Sequence, residues 1–194
     1  VLTGLYALED FSLTIDSNDV LHLYSGKLNL RNYQCSGNCI TVSSWSEVSS
    51  TPIEQSLKDM DSTMDMQDNV HGVYVNQSGT YYFDESNNIA QISVHTSQTS
   101  SAVNMRVSID AAPDGSLHVS SINHATSSVY YSSCSINCDA SSSWSTELVS
   151  NDTTSQALIQ VDADGTPWIL FTHNTNGATL MSRDNGQWDG DAIS

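Results

Sequence analysis

The sequence predicts an all-β protein, and three observations carry that expectation. Apolar and polar residues alternate with a period of two over short runs, as in Phe11-Ser-Leu-Thr-Ile-Asp16 and Met105-Arg-Val-Ser-Ile-Asp110, the pattern of a strand with one face buried. The runs favour β-branched and aromatic residues and are bounded by Asp, Gly, Asn and Ser turns such as Pro113-Asp-Gly115. The runs also recur as a longer unit, and a repeat decides how sheets are arranged.

Four segments follow one template: an alternating run ending at or near an acid, a turn, a second run opening with His or Trp, and further runs. They begin at Phe11, Ser62, Met105 and Ala157. Asp16, Asp65, Asp110 and Asp162 are taken as corresponding, with separations of 49, 45 and 52 that average near 49 residues. The repeats span about 11–50, 62–96, 104–150 and 155–194. In the third, strands are expected over about 104–110, 116–123, 128–134 and 142–150, so each unit is a four-stranded antiparallel sheet. A single twisted sheet cannot bury both faces, whereas copies set radially bury each face on a neighbour. The expectation is one domain over 1–194, a four-bladed β-propeller, with residues 1–10 outside the units and free to add a closing strand.

The order Asp, Gly-x-x-His or Gly-x-x-Trp, Tyr-Tyr, Cys-x-x-x-Cys and Trp-Ser resembles the blade repeat of secreted bacterial β-propeller proteins. It is read from Gly115-Ser-Leu-His118, Gly165-Thr-Pro-Trp168, Tyr130-Tyr131, Cys134 to Cys138 and Trp144-Ser145. The chain length is also similar to that of four-bladed hemopexin-like domains, without a shared motif. Such repeat families are usually longer, which leaves room for a larger ring or a second copy.

Four cysteines fall in two pairs of identical spacing, Cys35-Ser-Gly-Asn-Cys39 and Cys134-Ser-Ile-Asn-Cys138. Local disulfides, Cys35 with Cys39 and Cys134 with Cys138, fit best because the repeat would carry each bridge with it. Each should contribute only about 2 kcal/mol. The rival is a zinc site of all four thiolates. Disulfides imply an oxidising destination: secreted, cell-surface or periplasmic. The first ten residues lack the basic flank of a signal peptide, and no apolar run is long enough for a membrane span. Asn76-Gln-Ser78 and Asn151-Asp-Thr153 match the glycosylation sequon.

Against five Lys and Arg stand 22 Asp and Glu, a net charge of −17. That field repels phosphate backbones and anionic bilayers, so nucleic acid and anionic membrane are excluded as partners. No Gly-x-Ser-x-Gly, phosphate loop or His-Glu-x-x-His is present. Asp162-Ala-Asp-Gly165-Thr-Pro-Trp168 approaches a sialidase Asp box with the wrong spacing, and Arg31, Arg106 and Arg183 lie in three different units.

His22, His71 and His118 share one repeat position, the start of the second strand, where the fourth unit has Trp168. Symmetry about one axis would bring three imidazoles to one level, a zinc or copper arrangement. The alternative is that these rings pack between blades with their nitrogens bonded to the turns. His124, His173 and Asn174 fall in turns after second strands, the end where a sugar or peptide pocket is expected. Calcium is the functional reading of Asp162-Ala-Asp164-Gly165 and of Asp184 to Asp191, against ordinary Asx-turn chemistry. Tyr81-Tyr82 and Tyr130-Tyr131 are assigned to interblade packing.

The functional expectation is a non-catalytic binding or scaffold protein holding a small ligand, glycan or protein, with a metal ion near the axis. The alternatives are an adhesive surface protein that binds glycans or copies of itself, and a glycoside hydrolase-like propeller.

Overall fold

The computed structural model describes residues 10–94, 106–123, 126–151, 156–173 and 177–193. They form four separate four-stranded antiparallel sheets, each a meander in chain order. Blade 1 comprises β1 (Asp10–Ile15), β2 (Val20–Gly26), β3 (Asn29–Ser36) and β4 (Trp45–Pro52). Blade 2 comprises β5 (Asp59–Met64), β6 (Val70–Asn76), β7 (Gly79–Asp84) and β8 (Ile89–Val94). Blade 3 comprises β9 (Val107–Ala111), β10 (Leu117–Asn123), β11 (Ser128–Cys134) and β12 (Ser145–Ser150). Blade 4 comprises β13 (Ala157–Val161), β14 (Pro167–His173), β15 (Gly177–Asp184) and β16 (Gln187–Ile193). In blade 3 the structure follows the sequence expectation closely, except that 141–143 form a single 3-10 turn before β12.

The first strands carry the radial arrangement, for β1 packs on β5, β5 on β9, and β9 on β13. This is a β-propeller of four blades ranged side by side along their inner strands. Each blade has a front face toward its predecessor and a back face toward its successor. No core belongs to one blade. Tyr24 and Leu30 of blade 1 bury against Met60, Val70, Tyr74 and Phe83 of blade 2. Val73, Val75 and Tyr82 of blade 2 bury against Val107, Ile109, Leu117 and Trp144 of blade 3. Ile122, Val129 and Tyr131 of blade 3 bury against Ala157, Ile159, Ile169 and Phe171 of blade 4. Period-2 alternation feeds both interfaces from every strand, which is why a modest apolar content suffices.

An inner strand is an edge strand, and its outward N–H groups need partners. Carboxylates of the preceding blade supply them. Val107 donates its N–H to Asp59 at 2.7 Å, Ile109 to Asp61 at 3.1 Å, and Val161 to Asp110 at 2.7 Å. The first junction differs: Ser62 donates its N–H to Asp61 of its own strand at 2.9 Å, and across the blades Ser12 Oγ lies 2.8 Å from Ser62 Oγ.

The hairpin after each inner strand closes identically. Asp16, Asp65, Ala112 and Asp162 each donate an N–H to a carbonyl four residues on and accept one from the residue three on. The third member is therefore Ala112, and Asp110 lies one strand pair earlier, where it caps Val161 instead. The αL residue of this turn is Asp19, Asp68, Gly115 or Gly165, with φ of 61°, 62°, 85° and 83°, residues that tolerate positive φ.

Both disulfides form locally, Cys35–Cys39 and Cys134–Cys138. The carbonyl of the second cysteine accepts the indole N–H of the following Trp: Trp45 to Cys39 at 3.0 Å and Trp144 to Cys138 at 2.8 Å. The bridge thus seats a ring on the front face, where Trp144 packs 5.5 Å from Tyr82 of the preceding blade.

Gly72 lies under the Phe83 ring, where a Cβ would stand 2.0 Å from Cζ. Gly72→Ala should therefore force Phe83 out of the first interface and cost about 1–3 kcal/mol, read as a lower urea midpoint with an unchanged slope.

Candidate functional site

The shared His position is an intrablade clasp. His22 Nε2 lies 3.3 Å from Asp16 Oδ2, His71 Nε2 lies 3.1 Å from Asp65 Oδ2, and Trp168 Nε1 donates to Asp162 at 2.9 Å. In blade 3, Ala112 offers no carboxylate, so His118 Nε2 contacts Ser116 Oγ at 2.9 Å, and that hydroxyl passes to Asp114 at 2.6 Å. The opposite nitrogen faces the third strand: Gln34 at 3.3 Å from His22, Tyr82 at 2.8 Å from His71, and Tyr131 at 2.6 Å from His118. This network fits a proton on Nε2, with Nδ1 as the acceptor. Burial, first of all, holds His118 below the usual imidazole range, ahead of the opposing pull of Asp114 and Asp110.

The turn acids titrate low in consequence. The Val20 N–H, first, keeps Asp16 below the ordinary carboxylate range. For Asp65 burial pushes upward, but hydrogen bonds from Asn69 and His71 outweigh it. The Trp168 indole holds Asp162 down.

His22, His71 and His118 therefore sit on three separate second strands, each lone pair already taken inside its own blade. The expected shared level for zinc or copper is not formed by these rings, and among the described residues no group of three or more His, Cys, Asp or Glu is disposed to hold a metal. The two loops read for calcium are turns: Asp162 caps its own hairpin, and Asn185-Gly186, with φ of 49° and 81°, makes the two-residue β15–β16 turn. Trp168 lies on the back of blade 4, partly exposed. His124 and Asn174 lie outside the described residues, as does the side chain of His173, whose backbone ends β14.

Among the described residues, two clefts open at the end where second strands turn into third strands. The first, about 210 Å³, lies between the blade 1–2 linker and the front of blade 2, lined by Ile53, Glu54, Tyr74, Asn76, Tyr81 and Ile89. Tyr74 and Tyr81, paired across β6 and β7, stack with centroids 5.0 Å apart and 8° between planes. Gln91 donates to the Tyr81 hydroxyl at 3.3 Å and fixes the ring. Asn76 spends its carbonyl on the Ser78 and Gly79 amides and so shapes the turn. Sequence reasoning assigned both tyrosines of Tyr81-Tyr82 to packing. Alternation separates them: Tyr82 is buried toward blade 3, whereas Tyr81 is only half-buried and lines the cleft. The available signal was the adjacent pair itself, since one of two neighbours in a strand must face the other way.

The second cleft, about 360 Å³, follows the inner strands and is lined by Asp59, Asp61, Arg106, Val107, Gln156 and Leu158 among others. Arg106 lies 3.3 Å from Asp59. Burial, first, and then a shared hydrogen bond with Asp10 push the Asp59 carboxyl up to about 8, against the Val107 N–H and Arg106. A third cleft, about 350 Å³, lies at the opposite end between blades 2 and 3, with Asp65, Asp84, Glu85 and Asp139 around His71.

Fold and clefts together define the class: a β-propeller with interblade pockets, bridged by local disulfides. No family model matches the chain, and no curated protein matches it in sequence. Solved structures do match in fold. A mutant of AofleA from Arthrobotrys oligospora shares 14% identity at a TM-score of 0.63, covering 95% of this chain and 56% of that one. A mutant of the Aleuria aurantia lectin AAL, in complex with Fucα1-6GlcNAc, shares 14% identity at a TM-score of 0.61, over 97% of this chain and 64% of that one. A family PL25 ulvan lyase, a polysaccharide lyase bound to a glucuronate–sulfated rhamnose unit, shares 13% at 0.62, over 95% and 57%. The chain thus spans between about half and two thirds of the length of these proteins.

Asp59 gives the inner cleft a pH signature. The folded state keeps this proton up to about pH 8, whereas the unfolded chain releases it near 3.8. Its stabilisation is full below the lower value and is lost as pH rises through the upper one. Unfolding free energy should fall from about pH 5 to 8 in the native chain, and Asp59→Asn, which mimics the protonated carboxyl, should flatten that slope in urea titrations.

Proposed function

We propose that the protein binds glycans in an interblade cleft and does so without turnover. The observation that carries this reading is the Tyr74–Tyr81 stack flooring the cleft beside Glu54. A sugar ring presents an apolar C–H face and a rim of hydroxyls. The half-buried Tyr81 ring offers the first a flat partner at low entropic cost, and the Glu54 carboxylate accepts from the second. At about 210 Å³, the cleft lies below the ~300–1,000 Å³ of drug-sized sites, which suits a single ring. The net charge of −17 and Glu54 at the rim select neutral or amino sugars and reject uronic, sulfated or sialylated ones. Lectin and polysaccharide-lyase neighbours support a saccharide as the ligand class. The two disulfides suit an oxidising compartment, and no helix among the described residues is long and apolar enough to cross a membrane.

A second reading, a glycoside hydrolase-like propeller, is favoured by Asp59. A carboxyl protonated at neutral pH beside Asp61 and Arg106 in a cleft is the kind of pair that general acid catalysis uses. The same groups are already engaged in stitching blade 2 to blade 3, which is why binding without turnover ranks first.

On a glycan array, the native chain should retain neutral or amino-sugar glycans. Tyr81→Ala should weaken them more than about tenfold in a chain that still folds by circular dichroism, loss of the Tyr74 stack costing about 0.5–1.5 kcal/mol, and Glu54→Gln should shift preference among ring hydroxyl patterns. Retention unchanged in Tyr81→Ala overturns the cleft assignment, and release of reducing sugar that Asp59→Asn abolishes favours the hydrolase.

A further inference from the structure

The three interblade interfaces are built from corresponding rows, and both ends of the array carry the same rows uncovered. On the front face, Leu13, Ser62, Ile109 and Ile159 stand at one position, three residues before the hairpin position of Asp16, Asp65, Ala112 and Asp162. Ile109 is 3% exposed and Ile159 is 1%, yet Leu13 is 52% exposed, with Phe11 and Ile15 beside it in the same condition. On the back face, Tyr24, Val73, Ser120 and Leu170 occupy one position, opposite Asn32, Tyr82, Tyr131 and Leu180 respectively on the third strand. All members of the first three blades are at most 3% exposed, whereas Leu170 and Leu180 are each 36%.

Among the described residues, no packing like that of β1 on β5 joins β13 back to β1. The front of blade 1 and the back of blade 4 are therefore the two halves of one more interface of the same kind. A front face is covered by a back face at every junction the structure contains.

We infer that the back of blade 4 receives the front of blade 1 of a second copy of this chain. The surfaces match in kind. Trp45, seated by its disulfide loop exactly as Trp144 is, lies on the front of blade 1 and finds at the corresponding place Leu180 where Trp144 finds Tyr82. Asp191, opposite Leu180, holds the register place of Glu147 opposite Tyr131, the carboxylate that crosses the third junction to Arg183 and Trp188 at 2.7 and 2.8 Å. The contact is head to tail, so two copies that exchange both ends close on themselves and three or more extend as a filament only if closure fails. This inference does not depend on the glycan reading, because it uses the outer faces and leaves the Tyr81 cleft untouched.

Light scattering behind size exclusion tests it on the 194-residue chain. The expected mass is twice that of the chain, and because a net charge of −17 opposes self-association, added salt should tighten it. Leu13→Asp and Leu170→Asp alter exposed positions at opposite ends, and each should raise the dimer dissociation constant more than about tenfold. Mixing the two variants leaves one native junction per pair and should restore part of the association. A monomeric native chain overturns the inference, including the case in which blade 4 folds back on blade 1 of its own chain. So does a dimer sensitive to Leu13→Asp alone, which would place front against front. Thermal unfolding of the variants, expected to match the native chain at concentrations where it is monomeric, separates lost association from lost folding.

Discussion

The structure depends on how an inner strand, which has a neighbour on only one side, satisfies its other row of amides. Asp59, Asp61 and Asp110 reach forward from one blade and accept N–H groups from the next. This couples polar satisfaction to apolar burial, for the strand that presents a carboxylate on its back face presents Met, Val or Ile on its front. A side chain without an acceptor oxygen there would leave backbone donors unpaired inside an interface, at about 1–3 kcal/mol each. Part of the acidic excess is therefore architectural. Another part sits at turns, where Asp16, Asp65, Asp84 and Asp162 each cap amides two and four residues on.

The histidines show how a repeat position can look like a site. A conserved spacing brings like residues to like places within their own blades, and that equivalence carries no convergence in space. His22, His71 and Trp168 each tie the second strand to the hairpin acid six residues earlier. An indole can replace an imidazole because the acid needs only one N–H donor. Blade 3 dispenses with the acid, and Ser116 with Asp114 rebuilds the contact one step along the turn.

The strand count, the meander order and both disulfides were legible in the sequence, because alternation, turn residues and cysteine spacing are local signals. The correspondence of Asp110 with Asp65 was not, since Ala112 removes the acid from its proper place while an acid two residues earlier serves another purpose. The clefts were less legible still. Tyr81 and Tyr82 are indistinguishable as letters, and only the direction of the strand relative to its neighbours decides which one is packed and which one lines an opening. Asp59 is raised first by burial and then by Asp10, 49 positions away, and both are visible only once the inner strands are adjacent.

Each apolar cluster straddles two blades, and this bears on how such a molecule changes over time. A substitution on a face is felt by the neighbouring blade, so a change on one face calls for a matching change on the face it meets. The linker at 53–58 shares the constraint through Ile53 and Leu57, which are buried in the first cluster, so tolerance of change is left to the exposed residues of the turns. Recognition can consequently diversify blade by blade upon a frame that hardly moves.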